Sequence, residues 1–126
     1  MACRITELVL DCREPERLAA FWVEVLGWQV LGREEDGSVE IGPPEGPYGP
    51  QPTLVLSPTD QPKAGKLRLH FDVNATDRDQ AAELDRLLAA GARRADVGQT
   101  GAESWYVLAD PEGNEFCLLR RRVEPV

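Results

Sequence analysis

Glu7 and His70 are residue types that can bind a metal ion, and they lie at corresponding points of two similar segments. His70 is the only histidine in the chain and follows Glu7 by 63 residues in a chain of 126. After each of them the pattern is strand, helix and glycine, with Gly27 20 residues after Glu7 and Gly91 21 residues after His70. Two structural halves would place Glu7 and His70 at equivalent points, which predicts a paired site.

The first half of the chain predicts one strand, one helix and three further strands. Residues 4–10 alternate between apolar and polar side chains, as a half-buried strand does. Pro15 suits the first turn of the next helix, whose apolar residues recur at i, i+3 and i+4 until Gly27 can end it. Glycine- and proline-rich loops then separate three short predicted strands, at residues 28–32, 38–41 and 53–56.

The second half repeats this order. A strand is predicted over residues 67–73 and a helix over about 78–90, with Thr76 or Asp77 as the residue that caps it. Short strands are then predicted at residues 92–97, 105–109 and 115–120. The order strand, helix and three strands therefore occurs twice, which predicts two small mixed sheets with one helix each.

Composition narrows the class of protein. Apolar residues make up 42% and charged residues 29%, an ordinary globular composition. The net charge of −8 opposes binding to nucleic acid or to anionic membranes, and the arginines at 120–122 are interpreted as a solvated strand end. No apolar stretch reaches the roughly 20 residues of a membrane helix, and three cysteines without CxxC spacing indicate reduced thiols. A cytoplasmic protein is expected.

Three segments resemble the vicinal oxygen chelate superfamily, the group of glyoxalase I, bleomycin-resistance proteins and extradiol dioxygenases. They are REPERLAAFWVEVLGW, RLHFDV and LADPEGNEFCLL. Together they are most similar to small bacterial glyoxalase-like proteins, over nearly the whole chain. The resemblance implies an α+β fold of two tandem βαβββ modules whose mixed sheets curl around a cleft. We expect a single domain over residues 1–126, with module one at about 1–57, a linker at about 58–65 and module two at about 66–126.

Carried over residue by residue, the resemblance implies metal ligands at Glu7 and His70. A glutamate is usual on the last strand of module two, where this chain has Cys117, and the matching position in module one falls near Val55, which cannot coordinate a metal. Glu7, His70 and Cys117 would give three ligands, a set better suited to zinc than to magnesium because thiolate is soft. Nickel, iron and manganese are the other candidate metals. Glu115 lies on the same strand face as Cys117 and is a candidate base or ligand.

The same residues also have structural interpretations. His70 could be a neutral, hydrogen-bonded side chain in a partly buried cleft. Glu7 could form an ion pair with Arg68, which shares a strand face with His70 if the alternation holds. Cys117 could be a small buried apolar residue. The aspartate and asparagine of the sequence DPEGN, at residues 110–114, are interpreted as turn formers, because the proline and glycine between them already explain the spacing.

Arg68, Trp105 and Tyr48 are the candidate substrate-binding residues. Tyr48 lies in a glycine- and proline-rich loop that could cover the cleft. Trp105 and Tyr106 are adjacent on a predicted strand and must point to opposite faces, so one of them could contact a ligand. An aromatic wall suits a flat or cyclic small molecule, although core packing is the alternative for each ring.

Three classes of function remain open. The incomplete ligand set favours metal-independent binding of a small organic molecule, as in bleomycin-resistance proteins. The alternative is a divalent-metal-dependent lyase, isomerase or dioxygenase, and the third is a regulatory module. The sequence has no phosphate-binding loop, no serine nucleophile elbow and no HExxH motif that would support another enzyme class. We expect a homodimer with a small-molecule ligand.

Overall fold

The computed structural model describes residues 2–126, which form two compact units, one ending at Pro62 and one running from Lys63 to Val126. Each unit has one helix and a four-stranded mixed sheet, which confirms the predicted α+β class. Neither helix in this part of the chain combines the length and the apolar character that a membrane crossing requires.

The first unit contains β1, α1 and three further strands. The elements are β1 (Glu7–Cys12), α1 (Pro15–Leu26), β2 (Gln29–Arg33), β3 (Val39–Gly42) and β4 (Thr53–Pro58). Its sheet has the order β1-β4-β3-β2, in which β1 and β4 are parallel and the other pairs antiparallel. The first strand of the unit therefore pairs with its last, and β1 lies at an edge of the sheet.

The helix α1 covers one face of this sheet. It begins at Pro15 and ends before Gly27, whose φ of 65° is the left-handed conformation expected of a terminating glycine. Its buried side chains include Phe21 and Trp22, whose rings meet edge to face with centroids 5.2 Å apart. The strands below supply buried apolar residues, Val39, Ile41, Leu54 and Leu56. Because strand side chains alternate, the opposite face carries Glu7, Val9 and Val55, together with Glu40 and Thr53.

The second unit repeats this topology. Its elements are β5 (Phe71–Val73), α2 (Gln80–Ala90), β6 (Arg93–Arg94), β7 (Tyr106–Ala109) and β8 (Glu115–Leu118). The sheet order is β5-β8-β7-β6, again with the first and last strands parallel. The duplicated plan predicted from the sequence is therefore present.

All four strands of the second unit are shorter than predicted, β7 by one residue at its start, and other hydrogen bonds explain two of them. β5 begins at Phe71 instead of residue 67, because the Leu67 N–H donates to the Glu115 carboxylate. β6 has two residues instead of six, because the Val97 and Gly98 N–H groups donate to nearby side chains. β8 ends at Leu118, where its neighbour β5 ends at Val73.

The cap of α2 differs from the prediction. The helix begins at Gln80, and the N-cap is Asp79, whose Oδ1 accepts from the Ala82 N–H at 2.8 Å. Thr76 and Asp77 lie too far ahead of the first turn to cap it.

We expect Asp79→Ala to lower the free energy of unfolding by about 1 kcal/mol, because it removes the side-chain acceptor that caps this helix. Urea unfolding should show a lower midpoint at an unchanged slope. The matched control is Asp77→Ala, which removes an exposed ion pair with Arg78 and should leave the urea midpoint close to that of the parent. An equal loss in both variants would contradict the capping role of Asp79.

Candidate metal centre

His70, Asp72 and Cys117 bring three potential metal donors together in the second unit. One donor atom from each, a ring nitrogen, a carboxylate oxygen and a sulfur, all lie within 4.8 Å of one another. The distance from His70 Nε2 to Asp72 Oδ1 is 3.3 Å. Two of the three ligands predicted from the sequence are therefore neighbours, and Asp72 is a third donor that the prediction missed.

The sheet register explains this cluster. Asp72 lies directly beside Cys117 in the parallel pairing of β5 and β8. His70 precedes Asp72 by two residues, a spacing that returns side chains to the same side of an extended chain. The alternate residues of the two strands form the apolar side of the sheet, where Phe116 and Leu118 are fully buried. The three donors are thus displayed on the side that the core does not use.

The environment of the cluster favours the protonated form of the Cys117 thiol. Burial raises the pKa of this thiol, and the nearby negative charge of Asp72 and a side-chain hydrogen bond with Asp72 raise it further, against a smaller lowering by Lys66. Cys117 is half-buried, whereas the His70 and Asp72 side chains are 38% and 49% exposed. Metal binding would therefore displace a proton from sulfur.

The donor set fits a small divalent transition metal. In a tetrahedral site with metal–ligand distances of about 2.0–2.3 Å, ligand atoms lie roughly 3.3–3.8 Å apart. The 3.3 Å distance between His70 Nε2 and Asp72 Oδ1 already lies in this range. The largest distance between donor atoms in the cluster is at most 4.8 Å, about 1 Å beyond the range, and small side-chain rotations can close that gap. A nitrogen, an oxygen and a sulfur donor suit zinc better than magnesium or calcium.

Glu115 has a structural role beside the cluster. Its Oε1 accepts from the Leu67 N–H at 3.0 Å and its Oε2 from Lys63 Nζ at 2.9 Å. The Glu115 and Lys63 side chains are only 13% and 21% exposed. Burial alone would raise the pKa of Glu115, but the two donors outweigh it and hold that pKa below its usual range. Both carboxylate oxygens are thus engaged in fixing the segment before His70. The role of Glu115 as base or ligand remains a prediction.

The turn at residues 110–114 supports the start of β8. Asp110 is fully buried, and its Oδ1 accepts from the Glu112 and Asn114 N–H groups at 2.9 and 3.0 Å. The Asn114 amide also donates to both Asp110 oxygens, and Gly113 takes a φ of 87°. The interpretation of Asp110 and Asn114 as turn formers is confirmed.

Two of the other predicted site residues belong to the first unit. Glu7 is exposed at the start of β1 in the first unit, opposite Thr53, while Val55 pairs with Val9. Tyr48, in the same unit, is 72% exposed with a φ of 67°, and Arg4 donates to its carbonyl at 3.3 Å. The metal-binding prediction for Glu7 and the ligand-binding prediction for Tyr48 remain predictions.

Two candidates belong to the second unit. Arg68 lies in the irregular segment before β5 and not on a strand, so the strand alternation used to place it beside His70 does not apply. Trp105 is 43% exposed, one residue before β7, and its neighbour Tyr106 is half-buried under Arg94, whose guanidinium carbon is 5.2 Å from the ring centroid. Ligand binding by Arg68 and Trp105 remains a prediction.

Comparison with known proteins gives one family match and many similar structures. A family model described as a glyoxalase-like domain matches residues 7–119. FosX, a fosfomycin resistance protein from Listeria monocytogenes, was solved as a mutant with Mn(II) and 1S,2S-dihydroxypropylphosphonic acid. It superposes with a TM-score of 0.70 at 11% identity, over 94% of this chain and 90% of that one.

Two further structures are similar over most of their length. A glyoxalase/bleomycin resistance protein/dioxygenase family enzyme from Burkholderia phytofirmans has a TM-score of 0.65 at 18% identity, over 92% of this chain and 97% of its own. A possible glyoxalase from Bacillus cereus has a TM-score of 0.67 at 15% identity, over 94% and 99%. Comparison with curated protein sequences gave no significant match. At these identities the structures show a shared fold.

Proposed function

Because this chain belongs to the glyoxalase-like domain family, whose model matches residues 7–119, we propose that it binds a small oxygen-bearing organic molecule with the help of a divalent metal ion. His70, Asp72 and Cys117 would hold the metal. The observation that carries the proposal is the convergence of these three donors within 4.8 Å beside the paired strands β5 and β8.

Three protein ligands are the number typical of metal sites that leave a coordination position open for a substrate or water. The family usually has a glutamate at the position of Cys117. Asp72, which lies beside Cys117 on the neighbouring strand, would supply a carboxylate in its place. The donor set predicted from sequence contained only one carboxylate, on Glu7. The proposed site has its own carboxylate within the second unit.

When bound, the metal would polarise a carbonyl or hydroxyl oxygen of the ligand. The protein contributes the rest through fixed geometry. The β5–β8 register sets the distance between Asp72 and Cys117, and Glu115 holds the segment that leads into His70. The structure of FosX with Mn(II) and a dihydroxy phosphonic acid supports a hydroxylated small molecule as the kind of ligand to test.

The test is metal retention by untagged protein purified without chelator and then loaded with zinc, nickel, manganese or iron(II). We expect about one zinc ion per chain by elemental mass spectrometry, because all three proposed ligands come from the second unit of a single chain. In the cobalt(II) form, a sulfur-to-cobalt charge-transfer band should appear and should be lost in Cys117→Ser.

Asp72→Asn should weaken zinc binding by at least about tenfold, since it replaces an anionic ligand with a neutral one. Asp85→Asn is the matched control, because Asp85 is an exposed aspartate on α2 of the same unit, and its zinc affinity should equal that of the parent. Absence of any retained metal would contradict the proposal and leave metal-independent binding as the function to pursue.

A further inference from the structure

The segment that leads into His70 is unusually basic for this protein. The sequence KAGKLR, at residues 63–68, places Lys63, Lys66 and Arg68 within six residues of a chain whose net charge is −8. A cluster of cations in an acidic protein creates a local field opposite to the overall one, and it favours anionic ligands at that point.

Only one of the three cations is neutralised. Lys63 forms its ion pair with Glu115 at 2.9 Å. Lys66 Nζ donates to the Leu67 carbonyl at 3.2 Å, which leaves its charge uncompensated. Within residues 2–126, neither Lys66 nor Arg68 lies within ion-pair distance of a carboxylate. Two positive charges of the segment are therefore available to a ligand.

The backbone that carries these two cations is anchored next to the strand that carries Cys117. The bond from the Leu67 N–H to Glu115 holds the segment against the start of β8, two residues before Cys117. Lys66 and Arg68 flank that anchored residue. Arg68 precedes His70 by two residues, so their Cα atoms are at most about 7 Å apart.

From this arrangement we infer that the ligand carries an anionic group, a carboxylate, phosphonate or phosphate, which Lys66 and Arg68 bind while its other oxygens face the metal. The part of this inference in which the other oxygens face the metal rests on the proposed metal-assisted function. A guanidinium and an ammonium two residues apart in an anchored segment match such an anion, since charge-assisted hydrogen bonds are the strong ones and Arg can bind two oxygens at once.

The test compares two ligands that chelate metal in the same way and differ in charge. Acetohydroxamic acid offers two vicinal oxygens, and succinic acid monohydroxamate offers the same two oxygens plus a carboxylate. We expect zinc-loaded protein to bind the carboxylated compound about tenfold more tightly by calorimetry. In the double variant Lys66→Gln, Arg68→Gln the preference should fall to about twofold or less.

The matched control is Arg120→Gln, Arg122→Gln. These exposed arginines follow the C-terminal end of β8, at the opposite end of the strand from the basic segment, and their loss changes the net charge by the same amount. The control should keep the full preference. Equal affinity for the two hydroxamates, or an equal loss of preference in both double variants, would overturn the inference.

A second measurement separates this inference from the metal proposal. Metal-free protein is titrated with inorganic phosphate and followed by amide NMR, and we expect saturable shifts at residues 66–70 that disappear in Lys66→Gln, Arg68→Gln. If zinc is not retained but these shifts occur, the metal proposal is wrong and the anion site stands. If the amides do not move, the anion site is wrong, whatever the metal content.

Discussion

Replacing His70 by alanine should weaken zinc binding more than about 100-fold, because losing a direct ligand exceeds the 10–100-fold cost of losing a residue that only supports one. His70 supplies the only imidazole in the chain, so no other histidine can take its place. The measurement is competition with a chromophoric zinc chelator at fixed pH.

The control for His70→Ala is stability without metal. The His70 side chain is 38% exposed, so the free energy of unfolding of the metal-free variant should lie within about 1 kcal/mol of that of the parent. Glu7→Gln, measured alongside, tests the sequence prediction that Glu7 is also a ligand. Unchanged zinc affinity in His70→Ala would remove the proposed metal centre.

Asp110→Ala should destabilise the protein by about 2–4 kcal/mol, since it removes a fully buried carboxylate that accepts several hydrogen bonds. An unsatisfied buried donor costs about 1–3 kcal/mol, and more when the lost acceptor is charged. Urea unfolding of the metal-free protein should show the loss as a lower midpoint.

Asp96→Ala is the comparison for this variant. Asp96 also accepts a backbone N–H two residues ahead, from Gly98 at 2.9 Å, but it does so in an exposed turn, where water can replace the lost bond. Its loss should cost less than about 1 kcal/mol. Similar losses in Asp96→Ala and Asp110→Ala would show that burial of the Asp110 turn contributes little.

The sequence predicted the order and type of the elements well, because strong patterns mark them. α1 combines an initial proline, a regular apolar stripe and a terminating Gly27, and the structure confirms all three. The family resemblance that the motifs suggested is also confirmed by the match over residues 7–119. These features depend on residues close together in the sequence, which a single sequence displays directly.

Element ends depended on distant partners and were predicted less well. Leu67 follows the alternation of a strand, yet its N–H is taken by Glu115, 48 residues away. The cap at Asp79 was missed because three capping residue types, Thr76, Asp77 and Asp79, occur within four positions. Competing hydrogen bonds of similar strength decide such ends, and the sequence does not rank them.

The candidate site was predicted in part. His70 and Cys117 were identified from the family pattern, and the structure brings them together. Asp72 was missed even though the spacing of two residues from His70 signals a shared side of a strand. What the sequence could not supply was the register of β5 against β8, which places Asp72 beside Cys117.

The parallel pairing of first and last strands also sets the order in which the chain can fold during synthesis. Glu7 pairs with Thr53, 46 positions later, and Phe71 pairs with Phe116, 45 positions later. Such distant contacts slow folding, and neither sheet can close until its last strand has left the ribosome. The first unit can therefore be complete while residues of the second are still being added. The donor cluster can form only after β8 has left the ribosome, because Cys117 lies on that strand, the last to join the second unit's sheet.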